Sequence, residues 1–316
     1  MTATPWQPGM DRAQLAQRAR LLSQLRSHFE QTDALEVDTP ILHHALAPEE
    51  HIEPIRCQDG ALEGYLHTSP ETCMKRLLAA GSGDIYYLGK VFRSEELGRL
   101  HNREFTMLEW YRVGWTLDAL VTETAQLIGT VLDLPISKPL SYADAFTQAG
   151  GPNPHTASLA QLQQWAKTHR LSYPDGLVRE ELMDYLQAEL VEPRLPPKAV
   201  VVVDRFPAQR AGMAQIDPGP PAVAQRFEIY VNGVELANGY LELTDAVEQR
   251  QRLESVNRRR QQQGLPAITM DQRFLAALQA GLPAVSGVAL GVDRLLMLQM
   301  GAESLDSVMP FTQSRI

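Results

Sequence analysis

Cysteine is almost absent: Cys57 and Cys73 are the only two in 316 residues. Two isolated cysteines cannot staple a disulfide framework, and their spacing fits neither a CxxC zinc site nor a redox pair. Such sparing use points to a reducing, cytoplasmic setting. Basic excess is missing too, with 29 Lys and Arg against 38 Asp and Glu, a formal net charge of −9. That balance argues against a general nucleic-acid platform, because phosphate binding needs clustered cations. No window approaches the roughly 18 uninterrupted apolar residues of a membrane span, and the densest run, Ala199–Val203, is strand-sized. The start, MTATPWQPGMDRAQ, lacks a basic stretch followed by an apolar one, so no signal peptide is expected. Glycine and proline, 21 each, are near average usage, which excludes a low-complexity chain, and there is no internal repeat. With 44% hydrophobic and 21% charged residues, the chain reads as folded and soluble.

What is there is periodic. From Asp11, Leu15, Ala19, Leu22, Leu25 and Phe29 recur at three- and four-residue steps, predicting a long amphipathic helix. It ends before Val37-Asp38-Thr39-Pro40, and Val37–Ile41 is expected to be an apolar strand. Ile85–Arg93 and Phe105–Arg112 read as antiparallel strands joined by a charged loop, Ser94–Glu104. A connection that long is usually functional. Helical periodicity fills about 116–190, broken by Gly150-Gly151-Pro152-Asn153-Pro154. Strands resume at Val200, and Arg226–Val231 with Val234–Leu243 flank Asn232-Gly233, a strong hairpin signal. A polar helix is expected over about Asp245–Gln263, then a glycine-rich strand, Ser286–Gly291, feeding the helix Val292–Leu298. Grouped strands and grouped helices predict an α+β fold, a mainly antiparallel sheet flanked by helices. The expected layout is a short tail, residues 1–10, and one domain, 11–316, with a helical insertion at about 116–190.

Three segments carry the chemistry: Val37-Asp38-Thr39-Pro40; Phe92-Arg93-Ser94-Glu95 with His101-Asn102-Arg103-Glu104-Phe105 and Glu109-Trp110-Tyr111; and Gly287-Val288-Ala289-Leu290-Gly291-Val292-Asp293-Arg294. In this order and separation they resemble motifs 1, 2 and 3 of the class II aminoacyl-tRNA synthetases. Thr68-Ser69-Pro70-Glu71 with Met74-Lys75-Arg76, and Glu235 to Asp245 (ELANGYLELTD), resemble the lysyl branch. The likeness spans about residues 12–300. About ten residues before the first helix leave no room for an anticodon-binding domain. The whole is therefore similar to the lysyl-tRNA synthetase paralogues that modify a lysine of elongation factor P.

That resemblance implies activation of (R)-β-lysine, or lysine, by ATP with Mg²⁺, and transfer from the adenylate to the ε-amine of a lysine on elongation factor P. It further implies a cytoplasmic homodimer that acts without tRNA. Arg93 can fork across the α-phosphate and the attacking carboxylate, where negative charge builds. Arg294 can hold the γ-phosphate, and Gly291 lets the nucleotide approach. Phe105 offers a ring for adenine, Glu95 and Asn102 its hydrogen-bonding edge, and His101 a phosphate contact, with Ser94 and Leu236 beside the nucleotide. Glu235 and Glu242 would hold Mg²⁺. Ser69, Glu71, Glu109, Tyr111 and Glu242 suit a cationic amino acid. Three positions depart from the pattern: Ser94 stands for asparagine, Arg103 for proline, and Ala289, in the amino-acid pocket, for glycine.

Each residue also has an ordinary reading. Arg93 alone is a surface ion-pair arginine, Phe105 a core aromatic and His101 a solvated loop residue. Met107 and Trp110 read as core, Cys73 as packing, and Arg258-Arg259-Arg260 as a solvated helix face. His43, His44 and His51 lack a third ligand and read as loop residues. Two other functions stay open: a truncated lysyl-tRNA synthetase, and a non-catalytic synthetase-like regulator. The net charge weighs against the first, and the intact set Arg93, Glu235, Glu242 and Arg294 against the second.

Overall fold

The computed structural model describes residues 6–50, 52–60, 62–94 and 97–316. The chain divides into two compact units, Met1–Trp115 with Leu243–Ile316, and Thr116–Glu242. The first unit opens with α1 (Arg12–Gln31), β1 (Leu35–Glu36), β2 (Leu42–His43), β3 (Arg56–Asp59), β4 (Leu62–Leu66), α2 (Glu71–Ala79), β5 (Ile85–Phe92) and β6 (Glu104–Val113). The second unit holds α3 (Leu117–Leu132), β7 (Leu140–Ser141), α4 (Tyr142–Gln148), α5 (Leu159–Thr168), α6 (Arg179–Leu186), β8 (Val200–Pro207), β9 (Ile216–Asp217), β10 (Val223–Val231) and β11 (Val234–Leu241). The chain then returns to the first unit as α7 (Ala246–Gln262), α8 (Gln272–Gly281), β12 (Val285–Gly291) and α9 (Val292–Gln299).

In the first unit the strand order is β1-β5-β6-β12, with β1 parallel to β5 and the other pairs antiparallel; β2-β4-β3 form a small separate sheet. Asp11 and Gln14 start α1 with a reciprocal capping box, both bonds 2.8 Å. Phe29 at its far end stacks on Tyr86 (centroids 4.4 Å apart) and meets Trp110 edge-on (5.3 Å), so α1 covers one face of the sheet. The buried stripe differs from the expected one. Leu21, Leu25 and Phe29 are buried, whereas Leu15 is 40% exposed and Ala19 is exposed as well. The stripe passes instead through Arg18, whose charge has buried partners described below. The expected strand Val37–Ile41 is not formed: β1 and β2 flank it, and Pro40 interrupts the ladder after the Val37 N–H reaches the Tyr86 carbonyl (2.8 Å).

In the second unit the order is β11-β10-β8-β7, with β9 also on β10. Phe146, Trp165, Leu182, Leu186, Val201 and Phe206 fill its core. Asn232 and Gly233 have φ of 52° and 73°, the two left-handed positions of a type I′ turn, so the β10–β11 hairpin forms where expected. A bulge was not legible: Ile229 pairs with Ala237 but Tyr230 with Glu235, so β11 carries one extra residue.

Two further expectations are corrected. Arg260 does not belong to a solvated face: it is wholly buried, forms an ion pair with Glu53, and donates to the Glu49 carbonyl (3.1 Å). His43 lies on β2, is buried, and hydrogen-bonds the Pro40 carbonyl at 2.8 Å, whereas His51 lies outside the described residues.

Candidate active site

Residues opposite one another across a ladder share a face of the sheet. Tyr87, Glu109 and Ala289 form one such row, with Gly89, Met107 and Gly291 on one side of it and Ile85, Tyr111 and Gly287 on the other. Phe105, paired with Val91, extends the same face by one row. This is the face turned away from α1, since Tyr86 and Trp110 point to Phe29. On β12 it carries Val285, Gly287, Ala289 and Gly291, so beyond Val285 little side-chain bulk rises above the strand. A Cβ at Gly291 would meet nothing nearer than the Arg294 side chain at 3.8 Å.

An acidic cluster occupies one end. Tyr111 donates from its hydroxyl to Glu109 Oε1 (2.8 Å), and Ser69 Oγ donates to Glu109 Oε2 (2.8 Å). The same Ser69 oxygen accepts from the Glu71 backbone N–H (3.0 Å) where α2 begins. Burial, together with the neighbouring Glu71 carboxylate, pushes the Glu109 carboxyl up from 4.5 to about 8, against the opposing pull of its two hydrogen bonds and of Lys75. Lys75 is itself 1% exposed, 2.6 Å from Glu71 Oε1, and lies over the Phe274 ring. The sequence places Lys75 in the lysyl-branch segment but gives it no role of its own, although a Glu and a Lys four apart on a helix was the available signal.

At the other end are the candidate nucleotide residues. The Arg93 guanidinium lies 5.0 Å from the centre of the Phe105 ring. Arg294 donates from Nε to the Leu100 carbonyl (3.1 Å) and from Nη2 to His101 Nε2 (2.7 Å). A guanidinium only donates, so this His101 nitrogen accepts and carries no proton. Asn102 is buried: its amide donates to the Glu104 carbonyl (2.6 Å) and its oxygen accepts from the Gln313 N–H (3.0 Å), which ties the loop to the C-terminal segment. The Ser94 N–H is held by the Glu53 carbonyl at 2.7 Å. Glu95 lies outside the described residues.

Residues 8–315 match the family described as tRNA synthetases class II (D, K and N). The chain belongs to this family. It is similar, at 43% identity over 314 residues and 97% of both chains, to a Haemophilus influenzae (strain PittGG) protein named elongation factor P–(R)-β-lysine ligase. Proteins of the same name from Edwardsiella ictaluri (46% over 318 residues) and Vibrio cholerae (43% over 320 residues) match over 98% of each chain.

Within this class II chain the second unit carries Glu235, Leu236 and Glu242. Strand alternation alone would put Glu235 and Glu242, seven apart, on opposite faces. The β11 bulge resets the alternation between them, so Glu235 joins the face of Asn238, Tyr240 and Glu242. Across the hairpin that face meets Tyr230, Glu228 and Arg226. Glu228 there is shared by Arg226, Tyr230, Asn238 and Gln187. Leu236 and Glu242 are buried. Among the described residues, no three His, Cys, Asp or Glu close around a point as a ready-made metal cage. The two cysteines are free thiols, and burial pushes that of Cys73 up, which suits packing and not nucleophilic chemistry.

Proposed function

We propose that this chain is an ATP-dependent ligase that activates a lysine-type amino acid, (R)-β-lysine by preference, and joins it to a lysine of elongation factor P. The carrying observation is the hydrogen-bonded chain Tyr111–Glu109–Ser69 beside Glu71, with Tyr111 and Glu109 on the same sheet face as Phe105, Ala289 and Gly291. A cluster this acidic answers an ammonium-bearing substrate, and the names of the relatives agree.

In the first step a carboxylate oxygen of the amino acid attacks the α-phosphorus of ATP, and the bond to pyrophosphate breaks. Arg93 stabilises the negative charge that builds on the α-phosphate, Phe105 receives the adenine ring, and Arg294 receives the γ-phosphate. His101, now accepting from Arg294, is the adjoining phosphate contact, while Ser94, Asn102 and Leu236 shape the nucleotide's surroundings. Ser69, Glu71, Glu109, Tyr111 and Glu242 hold the amine end, with Ala289 beneath the substrate backbone. In the second step the ε-amine of the acceptor lysine attacks the acyl carbon; AMP leaves with the bonding electrons, and the amine sheds a proton as the amide forms.

Glu235 and Glu242 would hold Mg²⁺. The donor set fits, because Mg²⁺ on a nucleotide is held by one or two carboxylates with phosphate oxygens completing its shell, so no all-protein cage is needed. The ion would neutralise triphosphate charge. No described helix is long and apolar enough to cross a membrane, which is compatible with a cytoplasmic enzyme.

The test is to incubate the protein with ATP, each lysine isomer, and either elongation factor P or tRNA, and to weigh the products. Aminoacylated elongation factor P with (R)-β-lysine as the better substrate is the expected product. Charged tRNA with an unmodified protein acceptor would overturn the proposal. Arg93→Ala should lose about 10²–10³ in adenylation rate.

A further inference from the structure

Arg18, in the second turn of α1, belongs to no motif, yet its side chain is only 12% exposed. Its Nη1 lies 2.5 Å from Asp293 Oδ1 and its Nη2 donates to Thr106 Oγ1 at 2.7 Å. Asp293, 3% exposed in the first turn of α9, turns its other oxygen to the Thr106 backbone N–H at 2.6 Å. The register explains why Thr106 needs this partner. β12 ends opposite Met107, and one residue further out the carboxylate of Asp293 serves as acceptor in place of a strand. Three hydrogen bonds thus close a ring between α1, the start of β6 and the start of α9. The residue before Thr106 is Phe105, and the residue after Asp293 is Arg294.

We infer that Arg18 is a positioning residue for the nucleotide: from behind the sheet it fixes Phe105 and Arg294 relative to one another. Both tines of the guanidinium are required, because one holds the α9 side of the ring and the other the β6 side. Lysine, a point donor on a flexible stem, cannot reproduce that fork. Arg18 acts through Thr106 and Asp293, and the inference rests on the proposed roles of Phe105 and Arg294 in ATP binding.

The test is ATP–pyrophosphate exchange on Arg18→Met, Arg18→Lys, Thr106→Val and Phe105→Ala, with KM measured separately for ATP and for lysine. Misplacing a binding group by about an ångström costs up to about 10²-fold. Arg18→Met should therefore raise KM for ATP about tenfold or more, with the lysine KM within about twofold. Arg18→Lys and Thr106→Val should give smaller rises, and Thr106→Val should add little on top of Arg18→Met, since both open the same ring. A merely structural arginine would lower thermal stability and the active fraction while leaving the ATP KM alone, and that result overturns the inference. Should Arg18→Met not fold, an unchanged ATP KM in both Arg18→Lys and Thr106→Val overturns it equally. A raised ATP KM in Phe105→Ala with none in the Arg18 variants defeats this inference only. An unchanged one in Phe105→Ala defeats the nucleotide assignment itself, and the inference with it.

Discussion

Glu109 is the residue with the most to reveal about substrate binding. Its carboxyl is pushed up to about 8, so at neutral pH it is mainly protonated. If Glu109 receives the substrate ammonium as proposed, it does so ionised, and binding below about pH 8 also expels a proton. The amino-acid KM is therefore expected to fall as pH rises from 6 to 8, by up to about tenfold per unit, and to level off above about 8. Glu109→Gln should raise the KM and flatten the profile; a KM independent of pH in the unaltered protein would remove Glu109 from ammonium binding. Ala289, directly across the ladder from Glu109, concerns selectivity. If it lines the amino-acid site as proposed, its methyl group acts near the substrate backbone, where α- and β-lysine differ in the position of one amine. A methyl-sized change in a pocket is worth roughly 1–3 kcal/mol, or about 10–200-fold in relative kcat/KM. Ala289→Gly should shift preference toward α-lysine by an amount in that range, with the ATP KM little altered. An unchanged ratio in adenylation kinetics would move selectivity to Ser69, Glu71 and Tyr111.

Among the elements, α7 shows how unlike three adjacent arginines can be. Arg260 is buried against Glu53, and the Glu53 backbone carbonyl holds the Ser94 N–H next to Arg93. Removing Arg260 leaves a mostly buried carboxylate without its partner, a loss of about 3 kcal/mol once the partial exposure of Glu53 is allowed for. Arg259 pairs with Glu50 with 45% of its side chain exposed, and such a pair is worth up to about 1 kcal/mol. Denaturant unfolding of Arg260→Met and Arg259→Met should show that difference; equal losses would mean that the buried pair is worth no more than the exposed one. The sequence run Arg258-Arg259-Arg260 gave no hint of the distinction. Three consecutive helix positions point in three directions, and which one meets the core depends on how the helix is packed.

For the whole molecule, the open question is a second copy. The exposed apolar side chains Leu15, Leu35, Ile41 and Leu42 lie on α1 and on β1, β2 and the segment between them, the stretch the motif 1 resemblance assigns to a two-fold contact. Light scattering at micromolar protein should give twice the chain mass of 35.2 kDa, and Leu35→Asp with Leu42→Asp should reduce it to the monomer. A monomeric mass for the unaltered protein would refute the dimer.

The sequence alone determined the elements whose signals are local. The apolar period of the first helix, Asn232-Gly233 at the hairpin, and the β-rich run Phe105–Arg112 each depend on neighbours a few residues apart, so chain order suffices to find them. Family membership was legible for a similar reason, because Arg93, Phe105, Gly291 and Arg294 sit in short motifs in a fixed order. The remaining features depend on which parts of the chain meet. Arg18 is one arginine of an amphipathic helix until Asp293, 275 positions away, closes on it, and the burial of Lys75 is set only when its side chain lies over Phe274. The bulge that turns Glu235 onto the face of Glu242 is a property of two strands in register, not of either strand alone. Burial of a charge is decided by tertiary packing, since only there is water excluded and the partner supplied.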